Sequence, residues 1–155
     1  MKTISRILIL GLMLLAGACV AGGLTGTSVP PVPTGWKDQG GACISGCDYS
    51  IGVLEKSDQL ILYIGKSVTR IDPKKARWLI TDQMPYPKTP SGFEVVYSLC
   101  ERNGNPDETI IAVVKTIDAE WYTTVRFAYR ANPSTGRFEK ISTKGVRCLN
   151  DGWGV

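Results

Sequence analysis

Beyond residue 42 apolar and polar residues either alternate one by one or run together in short blocks. These are the signatures of half-buried and fully buried β-strands, respectively. Tyr49–Glu55 and Leu60–Ile64 flank Lys56-Ser57-Asp58-Gln59, which reads as a hairpin. Arg77–Asp82 alternates, with Trp78 and Ile80 on one face. Phe93–Cys100 is rich in Val, Tyr and Leu, and the turn cluster Asn103-Gly104-Asn105-Pro106-Asp107 follows it. Thr109–Thr116 contains the unbroken apolar run Ile110-Ile111-Ala112-Val113-Val114, suited to a central strand covered on both faces. Val125, Phe127 and Tyr129 alternate with Arg126, Ala128 and Arg130; a loop through Pro133 and Gly136 leads to Arg137–Ile141, and Gly145–Leu149 is a last short strand. Only Asp72–Ala76 and Asp118–Tyr122 suggest a turn of helix. The expectation is an all-β, mainly antiparallel domain over residues 42–155, a small meander barrel or sandwich of about eight short strands with at most one or two helical turns.

The N-terminal part has a different grammar. Lys2 and Arg6 precede the apolar run Ile7–Leu15 and the small residues Ala16, Gly17 and Ala18, the layout of a secretion signal over residues 1–18. Residues 19–41, with Gly22, Gly23, Gly26, Pro30, Pro31, Pro33, Gly35, Gly40 and Gly41, lack periodicity and read as a flexible tether. The segment Leu15-Ala16-Gly17-Ala18-Cys19 resembles the lipobox of bacterial lipoproteins, although Ala16 stands where Leu is usual. That resemblance implies lipidation of Cys19 and a periplasm-facing anchor in the outer membrane; ordinary cleavage after Ala18 or Ala21 would instead give a soluble periplasmic or secreted protein.

Composition narrows the chemistry. The 155 residues are 43% apolar and 21% charged, as befits one small globular domain. There is no histidine, which removes Ser-His-Asp, Cys-His and His-ligated metal chemistry. Without Lys2 and Arg6 the 18 basic residues fall to 16 against 14 acidic, and the net charge falls from +4 to +2. No dense basic block remains, so no nucleic-acid partner is expected. Besides Cys19, the cysteines are Cys43, Cys47, Cys100 and Cys148, enough for two disulfides in an exported chain. Three connectivities are possible; Cys43–Cys47 with Cys100–Cys148 is favoured, because Gly46 lets the short ring turn.

Four segments carry candidate chemistry. Asp118 and Glu120, beside Trp121 and Tyr122, are the closest approach to a carboxylate hydrolase or lyase, but neighbouring positions do not set two carboxyls across a cleft. Tyr86, in the proline-rich strip Met84–Pro90, is a candidate partner contact on a stiff connection. Trp121 and Trp153, the latter between Gly152 and Gly154, are the other candidate contacts, each with packing on the core as the plainer role. Thr143-Lys144-Gly145 resembles the end of the Tyr-x-x-x-Thr-Lys-Gly motif of bacterial inhibitors of c-type lysozyme, small exported β-barrels; Glu139 stands where that motif has Tyr. Trp78-x-x-x-Asp82, Tyr86-Pro87, Asp118–Trp121 and Cys148-x-Asn150-x-Gly152 together resemble small exported proteins of Gram-negative bacteria, which implies export and a β-domain but no activity. The expected function is a non-enzymatic envelope protein that binds another protein, as an inhibitor, immunity-type or accessory lipoprotein, with no cofactor. The alternatives are the carboxylate enzyme and a structural lipoprotein.

Overall fold

The computed structural model describes residues 23–72 and 75–154. The expected secretion signal, residues 1–18, and Cys19 lie outside the described residues. The described residues are all-β and antiparallel, with one short 3₁₀ turn among them at Ser45–Cys47. Of the expected helical turns, Asp72–Ala76 has Asp72 ending one strand and Lys75 and Ala76 beginning the next, with residues 73 and 74 outside the described residues, and Asp118–Glu120 is a bend leading into a strand rather than a helix.

Thirteen strands are described. The first five are β1 (Ser28–Val29), β2 (Lys37–Ile44), β3 (Tyr49–Lys56), β4 (Gln59–Asp72) and β5 (Lys75–Pro85). They form one sheet in the order β1-β5-β4-β3-β2. A middle sheet has the order β12-β11-β9-β6, from β6 (Phe93–Tyr97), β9 (Ile110–Lys115), β11 (Val125–Asn132) and β12 (Arg137–Ile141). A small third sheet, β10-β13-β7-β8, is made by β7 (Cys100–Arg102), β8 (Asn105–Pro106), β10 (Trp121–Tyr122) and β13 (Val146–Leu149).

Period-two alternation distributes the apolar residues among three cores. Ile51 and Val53 of β3 and Leu62 and Ile64 of β4 point at Ile111 and Ala131 of the middle sheet. On the other side of β9, Ile110, Ala112 and Val114 pack on Cys100, Tyr122, Val146 and Cys148 of the third sheet. The apolar run of β9 is thus covered on both faces, as its sequence predicts. The third core lies inside the curl of the first sheet, where Leu54, Ile61, Tyr63 and Ile80 enclose Val29. Two disulfides add cross-links, Cys43–Cys47 at the end of β2 and Cys100–Cys148 between facing residues of β7 and β13.

The expected tether is corrected by this third core. Within residues 19–41, Val29 is 2% exposed, and Leu24, Val32 and Trp36 pack against the same cluster. The glycines and prolines hide an apolar set that fills the concave face of the sheet. Pro30 follows an edge strand of only two residues, where a missing N–H costs the ladder nothing. The domain therefore begins well before residue 42. A second correction concerns length. β4 and β5 go on pairing, with register shifts on either side, through Thr69–Arg77 and Arg70–Ala76, across a stretch with no clear alternation, because each supplies the other's hydrogen bonds even where Val68 and Arg77 are exposed.

Candidate functional site

The first sheet curls until its two edge strands face each other across a cavity of about 310 Å³. Val29 and Pro30 line it from the β1 side, Asp38 and Gly40–Cys43 from β2, and Ser50, Gly52, Tyr63 and Trp78 form its floor. The sheet is a half-barrel, and this cavity is its open seam.

Local sequence shapes the floor. Strand β2 carries a bulge between Asp38 and Gly41. Gly40 adopts φ +91°, a left-handed conformation that glycine takes without steric cost, and its N–H donates to Asp38 Oδ1 at 2.8 Å. The bulge places Asp38 opposite Leu54, hence on the concave side. Gly41, Gly52 and Tyr63 then form one row across three strands, and Ser50 pairs with Gly65 in the next. With no side chain at position 52, the Tyr63 ring lies across it: a Cβ there would sit 2.2 Å from the ring Cζ. A Cβ at Gly65 would lie 2.8 Å from Ser50 Oγ and 2.7 Å from Trp78 Cβ. Ser50, Tyr63 and Trp78 therefore converge around a glycine floor.

Two polar groups of this site stand out. Ser50 is 6% exposed, and its Oγ has no hydrogen-bond partner among the described residues. A buried hydroxyl without a partner costs about 1–3 kcal/mol, so such groups are rare. The Tyr63 phenol is pushed up to about 12, chiefly by burial and secondarily by the negative charge of Asp38, so it stays protonated at neutral pH. Among the described residues no group of three His, Cys, Asp or Glu side chains could hold a metal ion. A second, shallower depression is lined by Leu24, Trp36, Lys56 and Gln83 near the β3–β4 turn. It has no buried unpartnered polar group among the described residues.

The residues singled out from the sequence are dispersed. Tyr86 is half-buried against the first core, and burial, then Tyr97 and Glu94, raises its phenol above the ordinary value. Trp121 lies beneath Arg147, whose guanidinium carbon is 4.2 Å from the ring centroid and whose Nε is 2.7 Å from Glu101 Oε1. That stack holds Trp121 against the third sheet. Trp153 is 50% exposed at the tail rather than packed on a core. Asp118 and Glu120 are exposed and do not line the cavity. Thr143–Gly145 is the turn into β13, with Val146 N–H donating to the Thr143 carbonyl. Cys43 alone among the sequence candidates lines the cavity, so its disulfide with Cys47 braces the lip. Sequence reasoning missed Asp38, Ser50 and Tyr63. The glycines at 41, 52 and 65 were the available signal, because a glycine inside a strand often marks a close approach.

No family model, curated protein or solved structure matches the chain. The class defined by the fold is an all-β domain with two disulfides, the chemistry of an oxidising compartment. Among the described residues no helix is long and apolar enough to cross a membrane.

Proposed function

We propose that this is a non-enzymatic exported envelope protein, anchored by lipid at Cys19, that binds another protein through the seam of its half-barrel. The observation that carries the reading is the geometry of that seam. Strand β2 is a sheet edge, its outer backbone groups have no neighbouring strand among the described residues, and a cavity runs beside it. An exposed edge is a template for an added strand; backbone hydrogen bonds supply affinity and the adjoining pocket supplies selectivity. Bracing by Cys43–Cys47 keeps the edge in place before binding, which lowers the ordering cost. An inhibitor, immunity-type or accessory protein fits this mode, since each works by occupying a partner.

The test combines capture with mapping. The oxidised, exported protein is presented to envelope and secreted fractions, and any saturable partner is then examined by hydrogen exchange. The expected result is protection of the Gly40–Cys43 amides in the complex. Protection confined to other strands, or no saturable partner for a bait shown to be folded, would overturn the proposal.

A further inference from the structure

We infer that the seam cavity receives a basic side chain, a lysine or arginine projecting from the bound partner segment. The inference rests on the protein-binding reading above and names the feature of the partner that the pocket selects.

Three properties of the cavity lead there. First, among the described residues its charge is one-sided. Asp38 is the charged residue of its lining, and it makes no ion pair among the described residues. Its Oδ1 is engaged by the Gly40 N–H, which fixes the carboxylate on the concave side. Second, the walls suit a cation on an alkyl stem. Val29, Pro30 and Ala76 are apolar, Tyr63 and Trp78 are aromatic, and the Tyr63 phenol is near enough to feel the Asp38 charge. Such groups attract ammonium and guanidinium ions, and a long basic side chain lays its methylenes on apolar surface while its head stays polar. Third, Ser50 lines the same space, and its buried hydroxyl has no hydrogen-bond partner among the described residues. Turned towards the cavity, that hydroxyl would accept a hydrogen bond from a cationic N–H without losing any partner described within the protein. An anionic group would meet Asp38, and a purely apolar group would leave both Asp38 and Ser50 unanswered.

The pocket also fits the mode of binding. A strand added along β2 projects alternate side chains towards the concave face. A cavity of about 310 Å³ beside that edge has room for one long side chain.

The experiment uses the exported protein and three neutral-backbone probes: Nα-acetyl-lysine methylamide, Nα-acetyl-arginine methylamide and the uncharged isostere Nα-acetyl-norleucine methylamide. Amide chemical shifts of Gly41, Ser50 and Gly52 are followed during titration. At least one basic probe is expected to shift them saturably, and the norleucine probe to bind at least about ten-fold more weakly, as a charge-assisted contact is lost. Asp38→Asn, which keeps the shape and removes the charge, should weaken the basic probe by about ten-fold and raise its salt tolerance. Ser50→Ala should weaken it several-fold while leaving the melting temperature unchanged or higher. Equal binding of the norleucine probe, or an affinity indifferent to Asp38→Asn, would overturn the inference. If the captured partner still protected Gly40–Cys43 in that case, the protein-binding reading would stand alone; if no partner were found, that reading would fall instead.

Discussion

Gly52→Ala is the sharpest probe of the half-barrel interior. The backbone at position 52 tolerates alanine, because its φ is not in the left-handed range. What does not fit is the methyl group. It would lie 2.2 Å from Tyr63 Cζ, 2.3 Å from Cε1 and 2.4 Å from Oη. Carbon atoms in contact need about 3.5–4.0 Å, so the ring has to retreat by more than about 1 Å. Tyr63 is 4% exposed, which leaves it two escapes: into the seam cavity, or by spreading β3 from β4. Overpacking of this kind costs about 1–3 kcal/mol. Against it stands a gain of about 0.5–1 kcal/mol, since alanine has less backbone freedom to lose than glycine. The net expectation is a loss of about 1–2 kcal/mol, read from urea unfolding as a lower midpoint at constant m-value. The same substitution in a Tyr63→Ala background meets no ring and should be neutral or stabilising by up to about 1 kcal/mol. In a Tyr63→Phe background the ring carbons remain and the loss should persist. A coupling energy near zero between positions 52 and 63, or a stabilising Gly52→Ala in the parent, would refute the packing of Tyr63 over the glycine floor.

Three further outcomes follow from other parts of the molecule. Replacing Cys100 and Cys148 together by alanine should cost about 4 kcal/mol by loop entropy, against about 2 kcal/mol for Cys43 with Cys47, because the closed loops differ so much in length (sequence separations 48 and 4); urea unfolding of the two double variants gives the ranking, and a costlier Cys43–Cys47 would contradict it. The Tyr63 phenol is raised from 10.0 to about 12, so between those values the folded chain holds a proton that the unfolded chain has released, and stability should fall by about 2–3 kcal/mol as pH rises through that window; Tyr63→Phe should flatten that part of the profile. Trp153→Ala should shift stability by less than about 0.5 kcal/mol, since the side chain is half exposed at the tail, whereas a loss above about 2 kcal/mol would show that it packs on the domain.

Legibility of the fold follows the range of the forces involved. Alternation and turn chemistry are local, so the hairpins of β3 with β4 and β11 with β12 were readable from Lys56–Gln59 and from the loop at Pro133–Gly136. The unbroken run Ile110–Val114 announced a strand buried on both faces, and β9 is one. The favoured cysteine pairing was readable as far as Gly46 and the tail permitted, and Cys100 and Cys148 do face each other across a ladder.

The candidate site was not legible in the same way. Tyr86, Trp121 and Trp153 were chosen as aromatics in conspicuous local settings, but whether an aromatic is free depends on what packs over it. Arg147, anchored by Glu101, covers Trp121 from another strand. The glycine- and proline-rich N-terminal stretch has too little periodicity to announce a strand, yet Val29 is buried because the curl of the sheet leaves a concave face that needs filling. Sequence alone determined the hairpin strands beyond residue 48, their turns and the cysteine inventory, since each depends on neighbours along the chain. Only the tertiary structure decided that Asp38, Ser50, Tyr63 and Trp78 share one cavity. They sit on four strands that meet through sheet curl and register, and these are set by long-range pairing rather than by any local pattern.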